Sequence, residues 1–134
     1  MKFEKKLGPM LGEPGEVHEV WSIEEVKTRK QIIGLMLKIA KMGELNGFGF
    51  RGYLDMDDNQ NEVSFKTPEE LSGGYEEIKR IDADCASVDI RTGGGDVNAM
   101  FSPFDDEGSG TSMLISGPEK EVKKVVAGIK KALG

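Results

Sequence analysis

With 134 residues, of which 37% are hydrophobic and 31% charged, the chain has the length of one domain and enough apolar material to bury a core without disulfides or metals. No apolar run approaches the ~20 residues of a membrane-crossing helix, and the start Met1-Lys2-Phe3-Glu4-Lys5-Lys6 has no apolar region behind its positive charges, so it does not read as a secretory leader. A formal net charge of −6 speaks against nucleic acid as a general partner, and the single Cys85 cannot form an internal disulfide, which agrees with a reducing, cytosolic setting.

Residues 1–15 carry the punctuations Gly8-Pro9 and Pro14-Gly15 and read as an N-terminal arm or loop; residues 16–134 read as a single α+β domain. Glu16 to Trp21 suits a first strand. Ser22 then stands three residues before Glu25, the spacing of a capping box, with Trp21 and Val26 placed as a hydrophobic staple. The spacing therefore predicts a helix from Ile23 to Met42. One stripe of it holds Ile23, Val26, Ile33, Leu37 and Ala40. A second holds Ile32, Leu35, Met36, Ile39 and Met42. A helix covering a sheet needs only one stripe, so the second is expected to meet another element of this chain or a second copy. Gly43 or Gly47 can end the helix in a left-handed conformation.

Phe48, Phe50, Leu54 and Met56 alternate with Arg51, Tyr53 and Asp55, the pattern of a half-buried strand. The turn sequence Asp57-Asp58-Asn59-Gln60-Asn61 leads to Val63 and Phe65 in a hairpin. Thr67-Pro68-Glu69-Glu70 is another capping box, stopped by Ser72-Gly73-Gly74, and Tyr75, Ile78 and Ile81 suit a short helix. Three further strands are expected at Asp84 to Arg91, Asp96 to Phe104 and Thr111 to Ser116, separated by Gly93-Gly94-Gly95 and by the loop from Asp105 to Gly110. In the first of these Ala86, Val88 and Ile90 face inward and Cys85, Ser87, Asp89 and Arg91 outward. Val122, Val125, Val126, Ile129 and Leu133 then form a narrow stripe on a terminal helix whose outer face is rich in lysine.

The expected fold is a two-layer α+β sandwich, a mainly antiparallel sheet of five to six strands with two long helices on one face. This element order resembles that of ferredoxin-like sandwiches, a superfold whose members include metabolite sensors, assembly factors and small enzymes. The resemblance implies an architecture and no function.

No cofactor loop is recognisable and no catalytic residue stands out. Asp55, Asp57 and Asn59 match three calcium-loop positions, but Gln60 replaces the required Gly and Lys66 the bidentate Glu, so a solvated turn is the better reading. Gly93-Gly94-Gly95 lacks the spacing of a phosphate loop. His18 and Cys85 are the sole candidates for a Cys-His pair, and the acids are too dispersed for a metal site. The outward positions Arg51, Tyr53, Asp89 and Arg91 are different. Two forked cations, a phenol and a carboxylate on neighbouring strands can hold a small anionic ligand or form cross-strand salt bridges. Lys120, Lys123, Lys124, Lys130 and Lys131 on the last helix can meet an acidic partner or anionic lipid, but they alternate with Glu119 and Glu121 at its start, so a solvated helical face is the better reading. The functional expectation is a small, non-catalytic binding or assembly module that forms a homo-oligomer, through Ile32, Leu35, Met36, Ile39 and Met42 or through the polar sheet face. The alternative is an enzyme acting on a small anionic substrate at that face.

Overall fold

The computed structural model describes residues 2–12, 14–23, 25, 26, 28–56, 62–67, 69, 70, 83–102 and 111–134. Among them run β1 (Phe3–Leu11), β2 (Glu16–Ile23), α1 (Arg29–Leu45), β3 (Gly49–Met56), β4 (Glu62–Phe65), β5 (Ala83–Thr92), β6 (Gly95–Ser102), β7 (Thr111–Pro118) and α2 (Glu119–Leu133). The strands form one antiparallel sheet in the order β1-β2-β7-β6-β5-β3-β4. The fold is therefore α+β, but the expected five to six strands and the ferredoxin-like likeness are both overturned: the described residues form seven strands, β5-β6-β7 is a continuous meander, and β4 lies at one edge.

The additional strand is β1, in the segment that punctuation marks as a loop. Its ladder to β2 has register shifts between Lys5 and Leu7 and between Leu7 and Met10, so Gly8 and Pro9 fall where the pairing is interrupted. Irregularities of this kind, and Pro itself, are tolerated on an edge strand. Gly8 is required there: its φ is +104°, and a Cβ would stand 2.5 Å from the His18 carbonyl oxygen. Phe3 holds the strand down by stacking on Trp21, with ring centroids 4.4 Å apart.

Most inward positions are apolar: Trp21 and Ile23 on β2, Leu54 on β3, Val88 and Ile90 on β5, Ala99 and Phe101 on β6, Met113 and Ile115 on β7; Thr111 and Glu19 are polar exceptions, Glu19 accepting from Trp21 Nε1 at 2.9 Å. Both helices lie on them, α1 over β3 and α2 over β7, β6 and β2, and they touch each other. Phe50 is half-buried on this same side.

The helix begins six residues later than expected. Ser22 and Ile23 remain in β2, paired with Ser112 and Thr111 of β7, because ladder pairing on a central strand outweighs a local capping signal. The cap is Thr28: its hydroxyl accepts from Gln31 N–H at 3.2 Å while the Gln31 side chain accepts from Thr28 N–H at 3.0 Å. At the other end Asn46 is the cap and Gly47 is left-handed, with φ +72°. Thr67 also caps as expected, accepting from Glu70 N–H at 3.2 Å. The expectations for residues 57–61, 71–82 and 103–110 lie outside the described residues.

One polar link ties the turn after β5 to the start of α2. The buried Thr92 hydroxyl donates to the buried Glu121 carboxylate and accepts from Gly94 N–H at 3.3 Å; Lys124 reaches the other Glu121 oxygen at 3.4 Å. The Thr92 hydroxyl, and then Lys124, holds the Glu121 carboxyl below its ordinary 4.5 against the opposing effect of burial. A lowered carboxyl pKa stabilises the fold above the unfolded value, and that stabilisation is lost as pH falls through the folded one. Thr92→Val is thus expected to unfold more easily than wild type at neutral pH in urea titrations, with the gap closing well below pH 4.5. An equal gap at all pH values would contradict this linkage.

Candidate functional site

The face of the sheet turned away from the helices has two unlike halves, set by register. Across one line of Cα partners run Leu7, Val20, Leu114 and Met100, then Ser87, Tyr53 and Ser64. The next line reads Met10, His18, Ser116, Asn98, Asp89 and Arg51. Strands β1, β2, β7 and β6 therefore carry an apolar row, and β5 with β3 carries the charges. Leu7 is 54% exposed, Met100 43% and Leu114 37%, so the row is left open by the described residues. Exposed apolar side chains scattered singly need no explanation, whereas four in register on adjacent strands form a patch.

On the polar half, Arg51, Tyr53, Asp89 and Arg91 come together as the sequence suggests. They line one hollow of about 380 Å³ with Lys66 and Asp96. Arg51 is the register partner of Asp89, and Gly49 opposite Arg91 leaves space between the two guanidinium stems. Asp89 accepts from Asn98 Nδ2 at 2.8 Å, and Asp96 accepts from Arg91 Nε at 3.1 Å. Three cations thus face two carboxylates. Both carboxylates are engaged, while Arg51 and Lys66 make no ion pair among the described residues.

Family models, curated proteins and solved structures were all searched, and none matches the chain. What can be said of the site rests on its own geometry.

Lys66 was missed because it lies just past β4, where the sequence marks the failed twelfth calcium position rather than a neighbour of Arg51. Leu114 and Met100 were legible as outward positions, since Met113, Ile115, Ala99 and Phe101 take the inward ones; that they meet is a matter of register, which no single strand contains.

The second stripe of α1 is not a surface. Ile32, Leu35, Met36, Ile39 and Met42 are all buried in the core. The stripe meets another element of the same chain: a Cβ at Gly128 of α2 would stand 2.6 Å from Met42 Sδ, and one at Gly52 of β3 3.3 Å from Met36 Cε. It cannot serve a second copy. His18 lies on the open face beside Ser116, and the side chain of Cys85 lies outside the described residues. Gly93 and Gly94 form the turn between β5 and β6. Among the described residues no three His, Cys, Asp or Glu gather as a metal site, and no helix is long and apolar enough to cross a membrane. Of the α2 lysines, Lys123 pairs with Glu119 at 3.5 Å and Lys130 lies 4.9 Å from the centre of the Trp21 ring.

Proposed function

We propose that the chain is a non-catalytic cytosolic binding module that self-associates through the open face of its sheet. The apolar row Leu7, Val20, Leu114 and Met100 carries this reading. A two-fold axis parallel to the strands and between β2 and β7 lays Leu7 on Met100 of a second copy and Val20 on Leu114. In the flanking lines it sets His18 on Ser116, Ser22 on Ser112 and Glu4 on Ser102. Along the central row apolar positions meet apolar ones, Met10 falls on Asn98 at one end, and no like charges oppose, so the face is self-complementary in its middle as an isologous interface requires. Two sheets stacked this way sit about 10 Å apart, with the row as their shared interior. Light scattering across a micromolar to submillimolar dilution series is expected to show a dimer dissociating to monomer. A monomer throughout the series would end this reading.

The polar hollow favours a second role, capture of a small anion such as a phosphate or carboxylate group. Arg51 and Lys66, in no ion pair among the described residues, supply the positive charge, and Arg91 and Tyr53 frame it. The carboxylates that a reaction there would use as acid or base, Asp89 and Asp96, are held by Asn98 and Arg91; this arrangement supports binding over the enzyme alternative. In a titration with inorganic phosphate followed by amide shifts, residues of β3 and β5 should respond. Arg51→Ala should weaken the response roughly tenfold, the order of one charge-assisted contact. Shifts spread evenly over the surface, or unaltered by Arg51→Ala, would remove the anion site.

A further inference from the structure

A groove of about 880 Å³ runs between α1 and α2 on the side opposite the open sheet face. Its α1 wall is Lys38, Lys41, Met42 and Leu45; its α2 wall is Lys124, Ala127, Gly128 and Lys131. Both sets have the spacing i, i+3, i+4, i+7, so each wall is one face of a helix two turns long, about 10 Å. The floor is apolar, with Met42 seated against Gly128. Leu45 stands 87% exposed at one end, although it is a large aliphatic side chain on a well-formed helix.

The rim is basic on both sides. Lys38 and Lys41 stand on one wall, Lys124 and Lys131 on the other, and no acid lines the groove of a chain whose net charge is −6. Lys124 shares Glu121, but Lys38, Lys41 and Lys131 make no ion pair among the described residues. Chance solvation of a helical face interleaves signs, as Glu119 and Glu121 do on the first turn of α2. A groove stripped of acids and edged by cations along both walls matches an elongated partner with an apolar stripe and anions on both flanks. A single fatty acid brings one charge at one end and leaves most of the rim unmatched.

We infer that this groove docks an acidic amphipathic helix of a protein partner, which would complete a three-helix layer on the sheet. The surface is separate from the open sheet face, so its occupancy does not depend on self-association. The test uses a fluorescent synthetic peptide of about three turns with leucines at i, i+3, i+4 and i+7 and glutamates on both flanks. A second peptide carries lysines in place of the glutamates, and oleate serves as the lipid-like probe. Anisotropy is expected to show saturable binding of the acidic peptide, weakening roughly tenfold as the Debye length shortens from about 30 Å to about 10 Å. Amide shifts should centre on Leu45, Ala127 and Gly128. The pair Lys41→Glu with Lys131→Glu should weaken binding roughly tenfold or more, whereas Lys30→Glu with Lys120→Glu, exposed positions off the groove and equal in charge change, should leave it within about twofold. Any of four results overturns the inference: equal binding of the lysine-flanked peptide, saturable binding of oleate without the acidic peptide, equal losses in the two variants, or no saturable binding at all.

Discussion

Ile39→Ala is expected to lower the unfolding free energy by about 2–5 kcal/mol, the range for truncating a large aliphatic side chain in a packed interior. Ile39 is 1% exposed and lies in the middle of the α1 stripe that packs inside the chain. Its removal deletes apolar contacts and leaves a cavity that the sheet below cannot fill, because Leu54, Val88 and Ile90 are already fully buried. Against a typical total stability of about 5–15 kcal/mol this is a large fraction. The loss should be the same at every protein concentration in urea unfolding followed by circular dichroism. A stripe that served a second copy would behave differently: monomer stability would hold, and the dissociation midpoint of the oligomer would move instead. The experiment therefore separates core from interface at the one helix where the sequence leaves both open.

How far that helix was legible shows where single-sequence reasoning stops. The period of three and four residues located it, and two stripes correctly signalled two contacted surfaces. Nothing in the period says whether the second surface belongs to the same chain; α2 supplies it from the far end of the sequence through Gly128, whose missing side chain makes room for Met42. The start of α1 was misplaced because Ser22-Ile23-Glu24-Glu25 and Thr28-Arg29-Lys30-Gln31 are both acceptable capping boxes. Only the demand of β7 for partners at Ser22 and Ile23 chooses between them. The same logic hid β1. Gly8-Pro9 breaks a strand by local rules, and only the neighbouring β2 shows that the ladder resumes on either side of it. The polar hollow was more accessible. Alternation alone put Arg51, Tyr53, Asp89 and Arg91 on one face, and β3 pairs with β5 so that Arg51 opposes Asp89. The apolar row was the reverse case. Each member looks like an ordinary exposed residue on its own strand, and the patch exists only once four registers are known.

Leu114→Glu should dissociate the dimer. Across a two-fold axis each substitution acts twice, and burying one leucine is worth roughly 1.5–3 kcal/mol, so the dissociation constant is expected to rise on the order of a thousandfold, every 1.4 kcal/mol being a factor of ten. The fold should tolerate the change within about 1 kcal/mol, since Leu114 points to solvent on β7 and the cost there is one of strand preference. The orientation can be tested separately. In the proposed arrangement Leu7 lies on Met100 of the other copy, so Leu7→Lys and Met100→Glu should each weaken association, while the two together recover roughly tenfold through opposite charges meeting across the interface. Within one chain these positions are three strands apart, about 14 Å, too far for an exposed pair to act on each other at ordinary salt. Recovery in the double variant thus requires contact between copies in this register. If light scattering shows each single variant dimerising as wild type does, the open face is not the interface; if both weaken and the pair shows no recovery, the two-fold runs in another direction and β1 does not lie over β6.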